Sequence, residues 1–212
     1  NPQTDDFTKF TEADGLPANW ICGLLMENDS SIWVSTSNGI SNFDVAQGQF
    51  YNYDIKDGLQ GNEFEGYVAL KTRWGQMLFG GRNGFNMFLP SEIIPNTQKP
   101  AVVITGFKLF NKEMKVGDDS PLNKHISFTD KITLKHHQSA ITINYVALNY
   151  TSPEKNQYAY KLEGFDESWI YTGTNRSAVY TNIPPGEYTF RVKGSNNDNY
   201  WNNKGETLKI TI

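Results

Sequence analysis

Cysteine is almost missing from this chain of 212 residues: Cys22 stands alone, which excludes an intrachain disulfide, and with only three histidines beside it argues against a structural zinc cluster. Long apolar runs are missing too. No stretch approaches the roughly 18 uninterrupted apolar residues of a membrane-spanning helix. The amino end carries no charged-then-apolar leader, so an anchor or export signal is expected outside this sequence. Positive charge is not in excess: 19 Lys plus Arg against 23 Asp plus Glu leave a net charge of −4, which argues against nucleic acid or an anionic membrane surface as partner. A nucleophile elbow of the Gly-x-Ser-x-Gly kind is absent, and the glycine-rich run Phe79 to Gly84 lacks the Lys-Ser/Thr and the helix of a phosphate cradle. What the chain has is 14% aromatic residues, 18 glycines and 9 prolines, a globular composition of a size that suits two small domains.

The first half repeats itself. Phe10-Thr11-Glu12-Ala13-Asp14-Gly15-Leu16 returns as Tyr53-Asp54-Ile55-Lys56-Asp57-Gly58-Leu59, a shift of 43, and Ser31 to Phe43 returns as Gln76 to Phe88, a shift of 45. A two-residue insertion between the blocks accounts for the change. Short β-rich runs near 21–26, 31–36, 40–44, 49–53, 66–72, 76–81 and 85–89 are separated by Asp-Gly, Asn-Gly and Gly-Gly turns. A four-stranded unit recurring every 40 to 45 residues or so is a propeller blade. One full blade, three strands of another and a leading strand at Phe7 to Phe10 make an incomplete ring. The lack of an initiating Met points to the carboxyl-side part of a longer chain, and uncovered blade faces are expected to make this piece associate or fray.

Pro90, Pro95 and Pro100 punctuate a polar stretch without period, so residues 1–92 are read as blades, 93–100 as a linker and 101–212 as a second domain. Beyond the linker, Ile141, Ile143 and Tyr145 alternate with Thr142 and Asn144, and Tyr188, Phe190 and Val192 with Thr189, Arg191 and Lys193. Strands are predicted at 101–110, 126–134, 141–145, 157–163, 177–182, 188–193 and 207–212, the spacing of an immunoglobulin- or fibronectin-III-like sandwich, with no helix required. In Ile183-Pro184-Pro185-Gly186-Glu187-Tyr188, Pro185 and Gly186 suit a type II turn with φ > 0 at the glycine, and Tyr188 suits a tyrosine corner.

Candidates for chemistry are few. His136 and His137 would point to opposite faces of a strand and so would not share an ion, and His125 sits in a polar turn. No metal site and no cofactor are expected. Cys22 lies in the apolar run Trp20 to Met26, the setting of a buried, inert thiol. Glu163, Asp166 and Glu167 occupy one turn, whereas a hydrolytic carboxylate pair comes from different elements. Among five tryptophans, Trp33 reads as core. Trp74, beside Gly75 in a hairpin turn, and Trp201, in the Asn-rich loop Ser195 to Asn203, are the candidates for ligand contact. Sequons stand at Asn28, Asn149 and Asn175.

Gly15-Leu16-Pro17, Ser31-Ile32-Trp33-Val34-Ser35-Thr36 and Asn38-Gly39-Ile40-Ser41-Asn42-Phe43 resemble the two-component regulator propeller repeat. The second copy departs from it with Gln60 in place of Pro and with Leu78 where an aromatic often stands. Tyr158 to Asp166, Trp169, Tyr180 to Phe190 and Ser195-Asn196-Asn197 resemble the Y_Y_Y domain. In this order the two are similar to the end of the periplasmic sensor region of hybrid two-component sensor histidine kinases that regulate polysaccharide use in gut bacteria. The resemblance implies a periplasmic, non-catalytic segment of a membrane-anchored parent. Its sandwich would pair in a homodimer and relay the binding of an oligosaccharide ligand to a transmembrane helix and a cytoplasmic kinase. Competing readings are an accessory carbohydrate-binding module of a secreted glycoside-active enzyme and a cell-surface adhesion protein.

Overall fold

The computed structural model describes residues 7–117 and 120–212, and the chain divides into two compact units between Ile94 and Pro95. The first unit is built from two antiparallel sheets. One is β1 (Ile21–Asn28), β2 (Ser31–Thr36), β3 (Gly39–Asp44) and β4 (Gln49–Tyr53), in that order across the sheet; the other is β5 (Phe64–Lys71), β6 (Met77–Gly81) and β7 (Gly84–Phe88). The β2–β3 and β6–β7 hairpins each turn over two residues before a glycine, as tight hairpins require.

The two copies of the sequence repeat share their turn geometry and several of its hydrogen bonds. Single 3-10 turns at Glu12–Asp14 and Ile55–Asp57 enter the two sheets. Asp14 Oδ2 accepts from the Thr11 N–H and Asp57 Oδ2 from the Asp54 N–H, both at 2.8 Å. The N–H groups of Glu12 and Ile55 donate to Asn19 Oδ1 and Asn62 Oδ1, both at 2.9 Å. Gly15 and Gly58 end the turns at φ 108° and 97°, a region that side chains rarely adopt. Phe7 to Phe10 corrects an expectation: it is not a strand. The segment is irregular and ends in the Phe10 ring, which packs on Phe43 of β3 and Phe50 of β4 with centroids at 4.7 and 5.7 Å.

The two sheets share one core of Cys22, Trp33, Ile40, Phe64, Met77 and Phe79. Trp33 stacks on Tyr53 at 5.5 Å, touches Phe88 at 4.8 Å and donates from Nε1 to Glu27 at 2.9 Å, so its polar edge is satisfied as burial demands. Leu24 and Met26 on β1, and Leu70, Phe85 and Met87 on the second sheet, stay exposed; each blade thus keeps an apolar face uncovered.

The second unit is a two-sheet sandwich. Its strands are β8 (Val102–Leu109), β9 (Lys112–Glu113), β10 (Lys131–Thr133), β11 (Ile141–Ala147), β12 (Tyr158–Glu163), β13 (Ile170–Gly173), β14 (Ser177–Tyr180), β15 (Glu187–Ser195) and β16 (Trp201–Thr211). One sheet runs β10-β16-β15-β12-β13 and the other β14-β11-β8-β9. Phe107, Ile143 and Tyr145 meet Tyr158, Leu162, Phe190 and Leu208 between them, which is why these strands alternate so cleanly. Three details differ from expectation. The strand predicted at 126–134 is a 3-10 turn at Ile126–Phe128 followed by the short β10, and β9 and β13 were not anticipated. Gly186 is not at positive φ, so the type II turn is not formed. Its place is instead steric: a Cβ there would lie 3.1–3.3 Å from the Tyr188 ring and hydroxyl. The tyrosine corner does form, with the Tyr188 hydroxyl donating to the Pro184 carbonyl at 2.9 Å.

Candidate functional site

The aromatic candidates fall in different settings. Trp33 is core. Trp74 tips the turn closed by the Gly75 N–H to Thr72 O bond and is 69% exposed, with the Arg73 guanidinium 4.3 Å over its ring. Trp201 opens β16 half-buried, its Nε1 donating to Asn199 Oδ1 at 2.8 Å and its ring edge-on to Tyr171 at 5.8 Å. Trp169, Tyr171 and Trp201 surround one cation: Lys193 Nζ lies 4.6, 5.1 and 5.4 Å from their centroids and 3.1 Å from the Tyr171 hydroxyl. Ala159, the register partner of both Lys193 and Tyr171, is fully buried beneath them. These rings fasten the edge strand β13 to the sheet through cation–π contacts.

The polar candidates are bound up in structure. Glu163 pairs with Arg191 at 2.6 Å, and Asp166 Oδ2 accepts from the Leu162 N–H at 2.7 Å and the Tyr180 hydroxyl at 2.6 Å. Burial pushes the Tyr145, Tyr160 and Tyr180 phenols above their ordinary value, and the bond to Asp166 pushes Tyr180 further. His136 and His137 lie in a turn rather than a strand, with rings 5.3 Å apart and nearly perpendicular. Among the described residues no group of three or more His, Cys, Asp or Glu could hold a metal ion. The Cys22 Sγ donates to the Phe64 carbonyl at 3.0 Å, tying β1 to β5. Burial first and Glu65 second raise its pKa, which keeps it a thiol rather than a nucleophilic thiolate.

A cleft that the sequence did not reveal opens at one end of the two blades. Trp20 precedes β1, Glu63 precedes β5, Ser37 lies in the β2–β3 turn and Arg82 in the β6–β7 turn; with Phe64, Glu65 and Gly66 they line about 340 Å³. Arg82 bridges two carboxylates, Nη1 to Glu63 at 3.0 Å and Nε to Glu65 at 3.5 Å, all three side chains more than half exposed. Beside the cleft β5 bulges: Phe64 pairs with Gly81 and Ala69 with Phe79, so residues 65 to 68 stand opposite Gly80 alone. Within the bulge Tyr67 takes φ 65° and is 101% exposed. Bulges re-aim side chains near sites, and an aromatic residue in the left-handed region costs roughly 1–3 kcal/mol that the surrounding structure must offset. The one signal was the change of shift from 43 to 45. Asn19 and Asn62 are equivalent at 43, while the Leu25–Trp33 and Leu70–Leu78 pairs are equivalent at 45, so the two extra residues fall in this bulge.

Propeller blades followed by an immunoglobulin-like sandwich define an all-β protein of two units. Residues 149–212 match the Y_Y_Y domain. The chain is 32% identical over 200 residues to Histidine kinase P4 of Formosa agariphila, an alignment covering 94% of this chain and 14% of that protein. It superposes, with a TM-score of 0.74 and 28% identity, on the extracellular domain of the putative hybrid two component system BT3049 from B. thetaiotaomicron, covering 100% of this chain and 28% of that one. The corresponding domain of BT4673 from the same organism shares the fold, with a TM-score of 0.50 and 24% identity over 91% of this chain and 25% of that one. The chain therefore has the make-up of the sensor region of a hybrid two-component histidine kinase and belongs on the extracytoplasmic side. It spans about a seventh of the curated relative and about a quarter of the solved domains.

Proposed function

We propose that this chain works in glycan sensing, as the part of a sensor region that links blades to a relay. In this reading residues 1–92 are closing blades, 93–100 a linker and 101–212 a non-catalytic sandwich that pairs in a homodimer. Binding of an oligosaccharide changes the spacing or angle of that pair, and the change passes to a transmembrane helix and a cytoplasmic kinase of the membrane-anchored parent. Ligand must favour one dimer geometry over the other for a signal to arise.

The observation that carries the reading is the blade-end cleft, lined by Trp20 and the Arg82 pairs and flanked by the bulge in which Tyr67 stands fully out in solvent. Aromatic faces suit the apolar faces of sugar rings, and an arginine held by carboxylates offers fixed donors to hydroxyl groups. Calorimetric titration of the complete ectodomain with a panel of oligosaccharides tests it. One member should bind, and Tyr67→Ala or Arg82→Ala should weaken that binding about tenfold or more, the 1.4 kcal/mol scale of one well-placed contact. Unchanged affinity in both variants would remove the cleft from the reading. Kinase output that still follows ligand after sandwich pairing is disrupted would remove the relay.

A further inference from the structure

Residues 95–100, at the start of the second unit, carry no regular element, and apart from Asn96 and the buried Pro100 their side chains are exposed. They are nonetheless tied down, by side-chain amides of the loop between β15 and β16. Asn196 donates from Nδ2 to the backbone oxygens of Asn96 and Gln98, at 2.5 and 2.8 Å, and accepts at Oδ1 from the N–H groups of Asp198 and Tyr200, at 3.0 and 2.9 Å. An asparagine amide has two donors and two acceptor lone pairs; all four are used, on a residue only 1% exposed. The Asn96 N–H donates to Asp198 Oδ2, and Asn202 Nδ2 donates to the Pro100 oxygen at 2.9 Å. Asn96 Nδ2 reaches Asn149 and Asn197 at 3.2 and 3.3 Å, and Asn149 continues to the buried Asn156 at 2.9 Å. The lattice joins the segment entering the sandwich to the loop that heads its last two strands. Apolar burial holds little of it, so the hydrogen bonds decide whether it stays docked.

We propose that Asn196 is a clamp that makes residues 95–100 a strap moving with the β15–β16 hairpin. A displacement of the chain entering the sandwich is then delivered to β15 and β16, the latter running to Thr211, without first deforming the apolar core. Its use in signalling rests on the relay reading above; the coupling itself is a property of this chain. The clamp is made largely of neutral amides, which salt does not screen.

Asn196→Asp separates the two halves of the clamp. It keeps an oxygen for Asp198 and Tyr200 and sets a carboxylate oxygen against the carbonyls of Asn96 and Gln98. In the 212-residue chain, amide exchange read by NMR should show the Asn96 and Gln98 N–H groups losing about tenfold or more of their protection, one buried hydrogen bond's worth. The amides of Phe190 and Leu208 in the core should be unchanged. Asn202→Ala, which removes the Pro100 anchor and, away from the strap, the acceptor of the Lys204 and Gly205 N–H groups, should raise strap exchange by about threefold, a fraction of one hydrogen bond. Strap protection unchanged in both variants overturns the clamp. So does joint loss of strap and core protection in both, because the strap would then be part of the core. In the full receptor, a freed strap with ligand-dependent output intact would sink the relay reading and leave the clamp standing.

Discussion

Tyr180→Phe is the substitution with the most to say about the sandwich. The phenol is nearly buried and donates to Asp166 Oδ2 at 2.6 Å, while the same oxygen caps the Leu162 N–H at 2.7 Å. A hydrogen bond to a charged group contributes about 1.5–3 kcal/mol net. In a unit of this size that is about 6–12 °C in the unfolding midpoint. The same change alters the pH dependence. Burial of Tyr145, and burial plus the Asp166 bond for Tyr180, raise both phenols above the unfolded value near ten. Above that pH the unfolded chain releases protons that the folded one retains, so stability is full below about pH 10 and falls as pH rises. Each such phenol contributes a slope of about 1.4 kcal/mol per pH unit. Urea titrations followed on the methyl resonances of Ala178 and Ile143 should therefore show Tyr180→Phe less stable at neutral pH yet with a shallower alkaline decline. Equal stability at pH 7, or an unchanged alkaline slope, would refute the assignment of Asp166 as the partner of a buried phenol.

Two further outcomes follow from packing. Gly186→Ala should cost about 1 kcal/mol, the low end for overpacking, because its Cβ would lie 3.1–3.3 Å from the end of the half-exposed Tyr188 side chain, which must give by a few tenths of an ångström; chemical denaturation checks this, and no loss would mean that the ring yields freely. Lys193→Met should cost about 0.5–2 kcal/mol and shift tryptophan emission, since the cation among Trp169, Tyr171 and Trp201 is removed while the aliphatic stem remains. Unaltered emission would show that the rings do not depend on it.

Where one face of a strand is buried, the alternation of the sequence and its turn residues were sufficient guides. The blade strands lie within about two residues of where the Asp-Gly, Asn-Gly and Gly-Gly punctuation put them, and Trp33 is core as its place in a strand implied. Features set by a partner were not legible. The β5 bulge is defined by its register against Gly80, and the short edge strand β13 by its pairing with β12 and by rings from two segments gathered around Lys193 on a third. Gly186 invited a turn by its residue type, whereas its real constraint is the distant end of the Tyr188 side chain. The candidate cleft escaped because its residues come from four separate turns and strand ends, each ordinary by itself. The asparagines of 195–203 read as a polar loop, since composition does not say that an amide is buried with all its bonding capacity taken.

The amide lattice also bears on how this protein can be produced. Asn149 stands in an Asn-x-Thr acceptor sequence, but its Nδ2, the atom to which an oligosaccharyl transferase would attach sugar, already donates to Asn156 at 2.9 Å and Asn197 at 3.0 Å. Asn28 and Asn175 stand exposed in their own acceptor sequences. In yeast or insect-cell secretion, sugar on those two asparagines is compatible with the folded chain, whereas sugar on Asn149 would mark molecules modified before this corner of the sandwich had closed.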